Sequence, residues 1–122
     1  MKRYLFVLAL FCSMAVPAYA SVPVVGKGDA MRFDSSRFPG QMKANHGILE
    51  EKCTKCHSLE RVVIPFVTGV TPITGQQFDM NAMKATLFTM VRKANTKSIA
   101  ISKDEAKAVS TLLKHLLDES AR

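Results

Sequence analysis

Cys53-Thr54-Lys55-Cys56-His57 is the stretch on which the reading of this chain turns. Two thiols stand three positions apart, and a histidine directly follows the second. At that spacing each thiol can add across one vinyl group of a haem while the histidine sits beneath the iron as its proximal ligand. Zinc is a second candidate, but a zinc site needs about four ligands, and His46 and His115 stand alone and far from the pair. A thiol–disulfide oxidoreductase would carry its CxxC at the end of a strand in a βαβ unit, and no such pattern precedes Cys53. A structural disulfide between the two thiols would close a loop too small to stabilise the chain much. Covalent haem c, held by Cys53 and Cys56 with His57 on the iron, is the reading that meets none of these objections.

The N-terminus supplies the context. Lys2 and Arg3 give a basic start, residues 4–16 form a nearly unbroken apolar run, and Ala18-Tyr19-Ala20 is an A-x-A cleavage site. This pattern predicts a cleaved signal peptide over residues 1–20 and a periplasmic destination. Cys12 lies within the run, but bulky Phe11 precedes it where a lipoprotein signal has a small residue. The run is shorter than the roughly 20 residues of a permanent span, and no later segment is more apolar, so no stable membrane anchor is expected. Once the leader is removed, Cys53 and Cys56 are the only cysteines left.

About 100 residues then remain, enough for one small domain whose core a large buried cofactor would consolidate. Residues 21–41 carry three glycines and two prolines without periodicity and predict an extended N-terminal arm, with Met31, Phe33 and Phe38 available to lay it on the domain. The domain itself is assigned to residues 42–122. Residues 42–52 read as a helix with Ile48 and Leu49 on one face and Lys43, Glu50, Glu51 and Lys52 on the other. Residues 62–75 mix β-branched side chains with Pro65, Gly69, Pro72 and Gly75, which predicts an irregular loop offering Ile64, Phe66, Val67 and Val70 as a wall for haem. Met80, Met83, Leu87, Met90 and Val91 recur at helical intervals after a cap at Asp79 or Asn81. Ser102 and Glu105 form an S-x-x-E capping box that opens a final helix striped by Val109, Leu112, Leu113, Leu116 and Leu117.

A leading helix, CxxCH, a loop, a methionine-bearing helix and an amphipathic last helix, in that order, resemble the small monohaem cytochromes c of class I type over residues 43–117. Within them the chain looks most like short periplasmic monohaem cytochromes of anaerobic, metal-respiring bacteria. The resemblance implies an all-α, cytochrome c-like fold of three or four short helices around one covalently attached haem. It also implies that the first and last helices cross beside the haem, with Leu49 meeting residues 112–116. Asn45 stands where the family often has a glycine, and Gly47 comes two residues later. The family's downstream pattern matches Met83, Met90, Arg92-Lys93 and Ser102 in order, which makes Met90 the distal axial ligand. A thioether is a soft, neutral ligand, and a methionine near a helix end can turn toward iron more freely than one locked in mid-helix. Met80 and Met83 share its face, and they, His46 and His115 remain alternatives. The second ring nitrogen of His57 should donate to a backbone carbonyl, and Arg61 is a candidate partner for a haem propionate.

The net charge is +7; loss of the leader lowers it to roughly +5, and two propionates to roughly +3. Lys52, Lys55, Arg92, Lys93 and Lys97 flank the motif and the proposed ligand, and acidic redox proteins are the expected partners. Nucleic acid is not, because no basic-helix or aromatic recognition pattern is present. The sequence therefore reads as an exported electron-transfer protein, not an enzyme, moving single electrons between periplasmic redox partners. The alternatives are a haem-based ligand sensor or minor peroxidase-like enzyme with a labile sixth ligand, although no distal His/Arg pair is visible, and a thiol module without haem.

Overall fold

A computed structural model describes residues 22–121, so the expectations for residues 1–20, Cys12 included, lie outside the described residues. A small antiparallel ladder of β1 (Val24–Val25) and β2 (Arg32–Phe33) precedes four helices: α1 (Gly40–Cys53), α2 (Glu60–Thr68), α3 (Met80–Thr96) and α4 (Lys103–Ser120). The protein is mostly helical.

The apolar stripe of α4 buries Val109, Leu112, Leu113 and Leu116, and its most extensive contact is with α1. Leu49, Leu112 and Leu116 are fully buried in one core; each such side chain contributes about 1.5–3 kcal/mol of apolar burial. On α1 the buried positions are Asn45, His46 and Leu49. Gly47 faces open space, with nothing near the point where a Cβ would stand, so it is not what lets the helices approach.

Helix ends are set by specific caps. Asp79 opens α3 by accepting the Ala82 N–H at 2.8 Å. At its far end the N–H of Ile99 returns to the Ala94 carbonyl at 3.0 Å and that of Ser98 to the Asn95 carbonyl at 3.4 Å, a Schellman closure. Ser98 takes the left-handed position, φ 63°, which usually belongs to glycine. Ser102 and Glu105 cap α4 reciprocally, at 3.1 Å and 2.9 Å. The second Glu105 oxygen lies 3.4 Å from the ammonium of Lys52, which also donates to the Ala100 carbonyl at 3.1 Å. Lys52 thus ties the end of α1 to the turn before α4.

Two expectations are corrected. Residues 62–75 are not one irregular loop: Glu60–Thr68 is a helix that buries Val63, Pro65 and Phe66. Pro65 has no N–H for the Arg61 carbonyl one turn back, yet burial of that face holds the helix. Gly69 then ends it in the left-handed region, its N–H bonded to the Pro65 carbonyl at 2.9 Å. The loop reading survives for the residues after Gly69, where Val70 and Gln77 form a bridge. The arm is not simply extended: its residues 22–39 fold back as the β1–β2 ladder and two single 3-10 turns, with Phe33 and Phe38 buried against the domain as expected and Val22 beside them.

Ser98→Gly should raise stability by up to about 1 kcal/mol in urea denaturation, because a side chain is strained in the left-handed region. The Ser102 N–H, aided by Lys52, holds the Glu105 carboxyl below its ordinary value. The depressed value makes its contribution present above the ordinary carboxylate range and lost as pH falls through the folded value. Wild type should therefore lose more stability than Glu105→Gln between about pH 6 and pH 3, measured by denaturant titration at each pH.

Candidate functional site

The two thiols are placed by the end of α1. Cys53 is its last residue, Thr54 donates its hydroxyl to the Glu50 carbonyl at 2.6 Å, and the chain then turns through Cys56 and His57 before α2. Cys53 is partly buried and Cys56 exposed. Burial pushes the Cys53 thiol up. Its position at a helix C-terminus, the negative end of the helix dipole, disfavours a thiolate further. Thiol–disulfide enzymes do the reverse, lowering a cysteine's pKa at a helix N-terminus or beside a cation. This environment favours a neutral Cys53 thiol over the activated thiolate such an enzyme uses.

His57 is partly buried, and its Nδ1 lies 2.9 Å from the carbonyl oxygen of Ser58. A carbonyl can only accept, so this hydrogen bond puts the proton on Nδ1 and leaves the Nε2 lone pair free to bind a metal. The partner is the backbone of the next residue, a carbonyl as the sequence reading expects.

Cys53, Cys56 and His57 open onto an apolar cleft with about 180 Å³ of interior space, well above the ~10–15 Å³ that admits one water. Leu49 forms part of its lining, Val62, Pro65 and Phe66 of α2 another part, and Met83, Leu87 and Met90 of α3 a third. Val109 and Leu113 of α4 also contribute. The charged side chains of its lining, Lys52, Arg61, Lys93 and Lys97, are all basic. Met83 and Met90 are two helical turns apart, about 10.5 Å along the axis. Met83 is 1% exposed and fixed in the core, whereas Met90 is 40% exposed and has room to reorient. Met90 is not near a helix end, because α3 runs on to Thr96; its freedom comes from exposure.

No family model matches the chain, and no curated protein and no solved structure matches it either.

The structure brings Cys53, Cys56, His57, Arg61, Met83 and Met90 to one cleft and leaves Met80, His46 and His115 outside its lining. Of the basic residues singled out in the sequence, Lys52, Lys93 and Lys97 reach it; Lys55 and Arg92 do not line it. Among the proposed wall residues only Phe66 is in place; Ile64, Val67 and Val70 are not in the lining, and Val67 and Val70 are exposed. Val62 and Pro65 join the lining because residues 62–68 are helical, which puts Val62, Pro65 and Phe66 on one side; Phe78 joins it from beyond that helix. Among the described residues no group of three or more His, Cys, Asp and Glu is placed to hold a bare metal ion.

In chain with both thiols free and still helical by circular dichroism, iodoacetamide should alkylate exposed Cys56 about tenfold or more faster than Cys53, as read by peptide mass spectrometry, because burial shields the Cys53 sulfur and disfavours its nucleophilic thiolate.

Proposed function

We propose that the chain is an exported monohaem c-type cytochrome that carries single electrons between redox partners in the periplasm, with a cytochrome c-like arrangement of its helices. The reading rests on one observation: Cys53, Cys56 and His57 share an apolar, base-lined cleft with Met90. The donor set fits haem: two thiols to form thioethers, an imidazole whose free nitrogen is Nε2, and a thioether from another helix. Bound haem supplies a one-electron ferric–ferrous couple.

The protein's residues do the rest. His57, oriented by the Ser58 carbonyl, and Met90 would hold the haem iron through Nε2 and the thioether sulfur. Two retained ligands leave no position for a substrate, which makes the protein a carrier and not an enzyme. Leu49, Phe66, Leu87 and Leu113 exclude water, and together with His/Met ligation this raises the potential relative to two histidines in an open site. Arg61, exposed in the cleft lining, is the propionate partner, with Lys93 and Lys97 adding positive charge. The same charge would draw acidic redox proteins. A ligand sensor or peroxidase-like enzyme is less well supported, because His57 is the only imidazole among the described lining residues. No helix of the described residues is long and apolar enough to cross a membrane.

Produced with its leader in a host able to attach haem, the protein should show Soret absorbance and retain one haem after denaturation. Met90→Ala should abolish the far-red sulfur-to-iron charge-transfer band and admit carbon monoxide to the reduced protein. Met83→Ala should keep the band and cost about 2–5 kcal/mol of stability. Loss of the band in Met83→Ala alone would move the ligand to Met83, and no bound haem would sink the reading.

A further inference from the structure

His46 takes no part in the cleft, yet its imidazole is only 4% exposed. Its Nε2 has no hydrogen-bond partner, an arrangement uncommon for a buried polar atom. Two aromatic rings of the folded-back arm close on it edge-on: Phe38 at 5.7 Å and Phe33 at 6.4 Å between centroids. Phe33 meets Phe66 of α2 at 5.3 Å, and Phe66 meets Phe78 at 5.1 Å. Phe66 and Phe78 line the cleft. A continuous aromatic line therefore runs from a buried imidazole, through the arm, to the cleft wall.

We propose that His46 is an acid-operated latch: neutral, it holds the arm closed through Phe33 and Phe38, and protonated, it releases the arm and withdraws Phe33 from behind the cleft wall. A charged imidazolium in this box would place an N–H on Nε2 against aromatic edges with nothing to accept it. The nearest countercharge is Glu50 on the same helix, 3.9 Å from Nδ1, beyond hydrogen-bonding distance. Arg32, on the strand packed over the site, opposes the charge. Asp34 and Arg37 in the following turn act on each other, and Asp34 also accepts the Ser36 N–H. Burial is the largest influence and holds His46 below the ordinary histidine value of 6.5. A released arm frees the imidazole to titrate near that ordinary value. The closed form is then fully stable above it and loses stability as pH falls below it, because only the released form has gained the proton.

The latch does not need haem in the cleft, so its test stands apart from the cytochrome reading. Hydrogen exchange of the full chain as purified, followed by mass spectrometry from about pH 7.5 to pH 5, reads peptides covering residues 24–38 and 60–68. After correction for intrinsic exchange, protection in the arm should fall by up to about tenfold per pH unit below about 6.5, and α2 should lose protection with it. His46→Phe should make both profiles flat. If that variant does not fold, Glu50→Gln serves instead: with the partial countercharge gone, the arm should open further at pH 5 than in wild type. An arm whose protection ignores pH, an unchanged profile in His46→Phe, equal or lesser opening in Glu50→Gln, or an α2 that stays protected while the arm opens would each overturn the proposal.

Discussion

Leu49 of α1 and Leu112 and Leu116 of α4 are buried in a single core, and that shared burial is the constraint from which the other positions follow. It fixes where α1 ends, and Cys53 is the residue at that end. Lys52, one residue earlier, reinforces the seam by bonding the Ala100 carbonyl and pairing with Glu105, which is already engaged in capping α4. Helices α2 and α3 then stand on either side of the opening that the seam leaves. Displacing α1 along α4 by one turn would carry both thiols away from Met90.

The cleft is selective through a division of labour. Its apolar surface favours a large hydrophobic guest, while its charged lining is wholly basic and would match a guest carrying carboxylates. The thiols and imidazole of the cleft are local to residues 53–57, but the opposite face belongs to another helix. One local motif therefore supplies the two thiols and the imidazole, and tertiary packing decides what faces them across the cleft. The arm adds a support behind that wall, since Phe33 backs Phe66.

Much of this was legible in the sequence where local physics is strong. The stripe of α4, its Ser102 and Glu105 cap and the Asp79 start of α3 follow from side chains within a few residues of one another. Helix α2 was missed because Pro65, Gly69 and a run of β-branched residues outweigh helix propensity locally, while the burial of Val63, Pro65 and Phe66 that overrides them is tertiary. The arm's two-residue strands are too short to leave a period; only Met31, Phe33 and Phe38 hinted at its docking. For the site, CxxCH announced the thiols and histidine, and the methionine stripe narrowed the far side. Nothing local could reveal that Phe78 would join the lining, because the bridge between Val70 and Gln77 brings it there. The buried His46 ring, its Nε2 without a partner, was equally invisible, since the arm folds back over it through strands too short to leave a sequence signal.

The partners of the central seam are also far apart in order of synthesis: about 50 residues separate the end of α1 from the start of α4. A chain emerging N-terminus first must deliver both thiols and His57 well before α4 arrives to bury Leu49. During that interval α1 lacks its main packing partner, and short isolated helices are marginal in water. Cys53, sheltered in the finished fold, is open while the chain is incomplete. The order of the helices thus leaves Cys53 accessible to modification for a window in time, which closes when α4 docks on α1.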